Sequence, residues 1–259
     1  MRYALLSDVH ANLPALEAVI ADIGRRTDID ATYHLGDLVG YGPWPNEIVD
    51  LMRDLGIGGV AGNYDSTIAT GYEHCGCRYE DAIQQELAHL SYEWTRRTCS
   101  PATARFLGAL PFRIDHRPDG GHRPGPSVIL VHGTPTLNTL YWSADRSESF
   151  SLKLAHAAGA RAGDVICFGH THVAWEKEVG RIRIVNTGSV GRPKDGDWRA
   201  GYVVLDMSRE APAVEFVRVE YDLQRAVAGI RKSDLPDEFA AYLAMGGQGN
   251  LISREAAKL

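Results

Sequence analysis

Sulfur is scarce in this chain, with four cysteines and four methionines among 259 residues. Cys75, Cys77, Cys99 and Cys167 are too few and too irregularly spaced for a disulfide framework, so a reduced, cytoplasmic protein is the expectation. Long apolar runs are missing as well. The opening Met1-Arg2-Tyr3-Ala4-Leu5-Leu6 runs directly into polar Ser7-Asp8, too short for a secretory apolar core, and no later run suits a bilayer. Surplus positive charge is also absent. Basic residues number 27 against 33 acidic ones, a formal charge of −6. That balance gives no bulk attraction to nucleic acid or an anionic membrane, so neither a stable nucleic-acid complex nor membrane association is expected. An anionic substrate stays compatible, because a local cation can reverse the field inside a pocket. If this protein handles anions, it imports positive charge as metal. Low-complexity segments and internal repeats are lacking too.

What remains is ordinary globular material. The hydrophobic share is 44%, enough for a substantial core, and α/β folds of this length are routinely single domains. We read one domain over residues 1–259. A short apolar run ending in Gly, Asp or His recurs along it, often followed by an amphipathic helix pattern. Tyr3 to Leu6 reads as a buried strand. Asn12 then caps a helix with Pro14 in its first turn and Leu13, Leu16, Ile20 and Ile23 on one face. Ala31 to Leu35 reads as a second strand, Pro45 to Arg53 as a helix, and Ile57 to Ala61 as a weaker strand. Glu80 to Thr98 and Ala102 to Ala109 read as helices, a helical insertion or cap at about residues 72–110 that serves as a specificity wall or as the surface of a homodimer. Arg117 to Pro126 is a Gly/Pro-rich connection. Strands Val128 to Val131 and Val165 to Phe168 follow. Two hairpins come next: Ala174 to Val179 with Arg181 to Val185, then Tyr202 to Asp206 with Ala213 to Val219. Residues 222–246 read as helical. The alternation predicts an α/β architecture of two packed mixed sheets with helices outside.

Five short motifs carry chemistry: Asp8-x-His10, Gly36-Asp37, Gly62-Asn63, His132-Gly133 and His170-x-His172. Each lies just beyond the carboxyl end of a predicted strand, where open α/β sheets place ligands. Residues two apart on extended backbone face one side, so Asp8 with His10, and His170 with His172, are expected to converge. Adjacent glycines allow sharp turns and close approach. Seven side chains (Asp8, His10, Asp37, Asn63, His132, His170, His172) exceed what one structural zinc accepts. With Asp37 bridging they give four bonds to each of two metals. Imidazole and carboxylate without thiolate suit manganese first, with iron, zinc, nickel or cobalt as alternatives.

These motifs, in this order, resemble the calcineurin-like metallophosphoesterase superfamily, in size and opening its small prokaryotic phosphodiesterase branch; Asn186-Thr187-Gly188-Ser189 extends the likeness. The resemblance implies a four-layer α/β/β/α sandwich. It implies that Asp8, His10, Asp37 and His172 hold one divalent ion, and Asp37, Asn63, His132 and His170 the other. It implies a phosphodiesterase or nucleotide pyrophosphohydrolase in which a hydroxide between the ions attacks phosphorus in line. A small phosphate-containing substrate, such as a nucleotide, is the expected partner. A phosphomonoesterase, of phosphoproteins or small molecules, is the alternative. A non-catalytic metal-binding interaction module on the same fold is an alternative of another class, set back by the completeness of the seven ligands.

The third motif departs from the family pattern. Many members have Gly-Asn-His-Asp/Glu, with the His protonating the leaving group or contacting phosphate; here it reads Gly62-Asn63-Tyr64-Asp65. Tyr64 could donate a proton but is not tuned to neutral pH as histidine is. Asp37, Asn63, Tyr64 and Asp65 are therefore the candidate catalytic set, with a preference for phosphoanhydrides or activated diesters. Asn12 and Arg192 are candidate substrate contacts, read equally well as a helix cap and a surface ion pair. His74-Cys75-Gly76-Cys77 lacks the usual zinc spacing and reads as reduced thiols in a cap loop. Trp44 and Trp142 could stack on a base or cover a core edge.

Overall fold

The computed structural model describes residues 1–77, 82–117, 125–209 and 211–248. Its elements begin with β1 (Arg2–Leu6), α1 (Leu13–Arg25), β2 (Ala31–His34), α2 (Pro45–Asp54), β3 (Gly58–Gly59) and α3 (Asn63–Thr70). Then come α4 (Ala82–Thr98), α5 (Pro101–Gly108), β4 (Ile114–His116), β5 (Val128–Leu130), α6 (Glu148–Ala157) and β6 (Val165–Phe168). The last are β7 (Ala174–Val179), β8 (Ile182–Thr187), β9 (Ala200–Asp206), β10 (Ala213–Val219), α7 (Leu223–Lys232) and α8 (Glu238–Ala244).

Two mixed sheets result, ordered β10-β9-β1-β2-β3 and β4-β5-β6-β8-β7. In the first, β1, β2 and β3 run parallel and β9 and β10 antiparallel. In the second, β5, β6 and β8 are parallel, with β4 and β7 antiparallel at the edges. The period-two alternation of the strands decides which core each side chain joins. Tyr3 and Leu5 of β1 meet Val128, Leu130, Val165 and Cys167 in the apolar layer between the sheets. Ala4 and Leu6, on the opposite face, pack instead with Leu16, Val19, Ile48 and Ile230 under the helices. Ile129, Ile166 and Phe168 point outward from the second sheet, against Leu154 of α6 and Trp142. The layers are thus helices, sheet, sheet, helix, the α/β/β/α sandwich that the resemblance implied.

Local chemistry sets the element ends. Asn12 caps α1 by accepting from Ala15 N at 3.3 Å, and Pro14 occupies the first turn as expected. Several elements differ from the reading of the sequence. The stretch 222–246, read as helical, forms two helices, α7 and α8, parted around Pro236. No helix was read at α3 or α6, and no strand at β4. Trp142 is fully buried, its indole N–H donating to Ser151 Oγ at 3.1 Å, so it is core and not a base platform. The 72–110 helices pack on the helical layer: Ser91 Oγ of α4 accepts from Tyr41 N at 2.9 Å, and Asn46 Oδ1 of α2 accepts from Ser100 N at 2.8 Å beside α5. Most of the Gly/Pro-rich connection, residues 118–124, lies outside the described residues. Among the described residues no helix is long and apolar enough to cross a membrane.

Candidate metal centre

All five motifs fall immediately after strands β1, β2, β3, β5 and β6, and their loops are zipped together beyond the strand ends. Asp8 N donates to Gly36 O and His10 N to Asp37 O, each at 3.0 Å, while Gly169 N donates to His132 O at 2.8 Å. His170 N donates to Asp8 Oδ2 at 2.9 Å, which ties the second sheet to the first. The side chains converge, but not through extended backbone. Asp8, His10, Asp37, His170 and His172 all have left-handed φ, between 47° and 64°. Such conformations are uncommon for residues other than glycine and persist only where the surroundings over-determine them. Glycine is required at two close approaches: a Cβ on Gly62 would overlap the Asp37 carboxylate, and one on Gly169 would overlap Ser7 Oγ.

Two groups of donor atoms form, Asp8–His10–His172 and Asp37–His132–His170, each with its donor atoms within 4.8 Å of one another. Asn63 joins the second, its Oδ1 3.1 Å from His132 Nε2. Asp37 Oδ2 stands between the groups, 3.8 Å from His10 Nε2 and 3.4 Å from His132 Nε2. All seven residues are buried, at most 4% exposed.

The donor chemistry fits divalent cations. Carbonyl oxygens can only accept, so His10 Nδ1 donates to Val39 O, His132 Nδ1 to Leu35 O and His172 Nδ1 to Arg192 O. The Nε2 atoms of His10 and His172 are then left as lone pairs turned inward, while His132 Nε2 faces the acceptors Asp37 Oδ2 and Asn63 Oδ1. The lone pairs of His10 and His172 face each other at 3.1 Å, an arrangement that repels unless a cation lies between them. Asp8 Oδ1 and His170 Nε2 are buried without a hydrogen-bond partner, a costly state that a metal relieves. Burial is the main cause holding His10 and His170 neutral, with pKa values lowered to about 3. At His132 burial acts in the same direction, but the charge and hydrogen bond of Asp37 outweigh it and raise the pKa to about 10. Asp37 Oδ2 is therefore where positive charge is most wanted.

The remaining sequence candidates surround this cluster. Asp65 accepts from Leu38 N and Gly62 N, both at 2.9 Å, clamping the second and third motif loops together. Tyr64 is 1% exposed, its ring behind His10 with centroids 5.6 Å apart and filling the space left by Gly40. The Asn12 amide caps α1 and donates to Gly191 O at 2.9 Å. Arg192 lies with its guanidinium 4.0 Å from the Tyr41 ring centroid and 4.4 Å from that of Tyr242. A cleft beside it is lined by His10, Asn12, Tyr41, Trp44 and Phe239. Asn186, from the fourth segment of the resemblance, donates to Gly169 O at 2.6 Å, and Ser189 Oγ donates to Asp8 O at 2.8 Å, so that segment braces the metal loops.

Four neighbours take places that were not read from the sequence. Tyr141 stacks on His170 with centroids 4.4 Å apart. Cys77 Sγ and Cys75 O each accept from Asn63 Nδ2 at 3.1 Å, which fixes the amide with its oxygen toward His132. Lys194 follows Arg192 on the loop that receives His172, its backbone N–H donating to His172 O at 3.3 Å. Cys75 and Cys77 were read as reduced thiols in a cap loop, and nothing local marked Asn63 as their target. His74 is exposed.

A family model for the calcineurin-like phosphoesterase superfamily domain matches residues 1–210. An uncharacterised protein of Methanocaldococcus jannaschii is 32% identical over 260 residues, covering 94% of this chain and 97% of that protein. The crystal structure of a metallophosphoesterase from Sphaerobacter thermophilus is similar with a TM-score of 0.72 at 30% identity, over 95% of this chain and 100% of that one. A hypothetical protein from Pyrococcus horikoshii gives a TM-score of 0.80 over 96% and 99% of the two chains, a likeness of fold at 20% identity. Helices α7 and α8 lie beyond the residues that the family model matches.

Proposed function

The chain belongs to the calcineurin-like phosphoesterase superfamily, and we propose on that footing that it is a metal-dependent phosphoester hydrolase acting on phosphodiesters or nucleotide phosphoanhydrides. The observation that carries the reading is the inward set of imidazole nitrogens and carboxylate oxygens in two adjoining groups. In this reading Asp8, His10, Asp37 and His172 hold one divalent ion, and Asp37, Asn63, His132 and His170 hold a second, manganese being favoured by the donor set. A bound pair of ions supplies activated water and neutralises phosphate oxygens. The protein's own part is to fix the donors: the carbonyls of Val39, Leu35 and Arg192 set three imidazole tautomers, Cys75 and Cys77 set the Asn63 amide, and Asp65 holds two ligand loops in register.

The leaving group decides between substrates. With Tyr64 packed behind His10, proton donation by this side chain is disfavoured, and leaving oxygens that are stable as anions are preferred. Phosphates, nucleotides and aryl groups meet that condition better than simple alkoxides. Arg192, held over the Tyr41 and Tyr242 rings, offers its N–H groups to phosphate oxygens, while Asn12 orders the loop that carries it. The 72–110 helices are proposed to belong to the single domain, with the Cys75–Cys77 segment as its wall beside Asn63.

The test is hydrolysis of bis-p-nitrophenyl phosphate against p-nitrophenyl phosphate by metal-stripped protein with manganese restored. Manganese-dependent turnover favouring the diester is expected. Preference for the monoester would assign a phosphomonoesterase. No turnover of either, with both ions shown to be bound, would overturn the enzymatic reading in favour of a binding platform.

A further inference from the structure

We propose that Arg192 and Lys194 form a second anion subsite beside the metal centre, which selects a polyphosphate or phosphoanhydride chain over an isolated phosphodiester. The inference rests on the phosphoesterase reading above and names the substrate class for that same site.

The loop carrying both cations is fastened to the centre at each end. Gly191 N donates to Asp8 O at 3.0 Å, Arg192 N to Ser189 Oγ at 2.8 Å, and His172 Nδ1 to Arg192 O at 2.6 Å. Its far side is held by the C-terminal turn after α8, where Gly196 N donates to Gly246 O at 2.9 Å. That turn and Tyr242, whose ring flanks Arg192, lie beyond the residues matched by the family model. Arg192 is thus preorganised by two aromatic rings, and among the described residues no hydrogen-bond acceptor takes up its guanidinium.

Lys194 is half-buried, its backbone N–H donates to His172 O at 3.3 Å, and the charges of Asp8 and Asp37 act on its ammonium. The nearby acids do not neutralise either cation. Asp195 pairs with Arg218 and Asp197 with Arg199. Among the described residues no carboxylate lies within ion-pair distance of Arg192 or Lys194.

Charge then discriminates between substrates. Two divalent ions already exceed the charge of the ligand carboxylates Asp8 and Asp37, and a phosphodiester brings a single negative charge. Two further unpaired cations at its edge are a surplus for that substrate and would oppose binding of the ions themselves. A chain of phosphates carries several negative charges and so can meet the cations of the metal centre and of the loop together. Partly desolvated cations bind such a ligand more strongly than exposed ones do.

The experiment is calorimetric titration of metal-loaded, desalted protein with inorganic tripolyphosphate and with orthophosphate, with metal content measured afterwards. The wild type is expected to bind tripolyphosphate at least about tenfold more tightly, and Lys194→Gln or Arg192→Gln to lose about tenfold for tripolyphosphate with a smaller loss for orthophosphate. Lys194→Arg is expected to restore most of the preference, and Lys153→Gln, an exposed charge on α6, to leave it unchanged. Equal losses for both anions, or no loss for either variant, would overturn the subsite. Turnover of bis-p-nitrophenyl phosphate by the same wild-type sample reports separately on the phosphoesterase reading: its absence beside intact tripolyphosphate selectivity would count against that reading and not against the subsite.

Discussion

Five candidate ligands sit in left-handed backbone, and this local strain is what aims their side chains inward. Periodicity made the residues legible, since short strands ending in Asp, Gly-Asp or His are visible as text. The route to convergence was not legible, because positive φ at Asp8 or His172 is imposed by hydrogen bonds from loops distant in sequence, such as His170 N to Asp8 Oδ2, 162 residues away. The same holds for Lys194, an unremarked lysine until the chain returns it to His172. His172 meets Asp8 Oδ1 at 3.3 Å and stacks on His10. Its replacement by alanine is expected to lower bound manganese from about two ions to about one and turnover by at least about a hundredfold; metal analysis with steady-state kinetics reads both, and full occupancy would remove His172 from the ligand set. Tyr64 gives the opposite expectation. Tyr64→Phe preserves the packing on Gly40 and His10, so turnover should stay within about threefold and the pH profile should keep its alkaline limb. A hundredfold loss of kcat with alkyl leaving groups, and none with aryl ones, would restore the phenol as a proton donor.

At the scale of elements, the sequence exposed strands and capped helices and hid those that depend on partners. Asn12-Leu13-Pro14 announces α1 locally. Helix α3 reads Asn-Tyr-Asp-Ser-Thr-Ile-Ala-Thr, mostly poor helix formers, and it forms because Asp65 binds Gly62 N and Leu38 N across the motif loops. Strand β3 shrank to Gly58–Gly59 for a related reason. A Cβ at Gly59 would overlap His34 O, so only glycine lets β3 lie against β2 there. The imidazole of His34 is fully buried with neither nitrogen hydrogen-bonded, and burial lowers its pKa to about 3. In the unfolded chain the same group titrates near 6.5, so below that pH the unfolded state binds the extra proton. Stability at His34 is therefore intact above about pH 6.5 and lost as pH falls toward 3, at up to about 1.4 kcal/mol per pH unit. Denaturant unfolding of His34→Leu and wild type, compared from pH 7 to 4.5, should show a shallower acid limb in the variant. Parallel curves would mean that the ring is already solvated in the folded state.

Across the whole molecule, two packed mixed sheets with helices outside were legible from the pattern of strands and helices, and the four-layer order from the family resemblance, while the division of labour between the two sheets was not. Asp8, His10, Asp37 and Asn63 come from the first sheet, and His132, His170 and His172 from the second. Each donor group draws on both, so ions bound there would cross-link the sheets over an apolar layer that contributes no polar contacts of its own at Leu5, Leu130 or Val203. Unfolding must then release the ions together with the interface. By linkage, a ligand at a hundred times its dissociation constant stabilises the native state by about 2.7 kcal/mol per site. For a chain of this size that corresponds to a rise in Tm of about 5–10 °C per ion. Thermal unfolding with chelator and with manganese added back should show that difference, and it should be halved in His172→Ala, which keeps the second group. The transition should stay single in both conditions if the sheets unfold as one unit. A rise of the same size in His172→Ala, or one equalled by magnesium at the same concentration, would mean that the cation acts by screening the acidic surface and not by joining the two sheets.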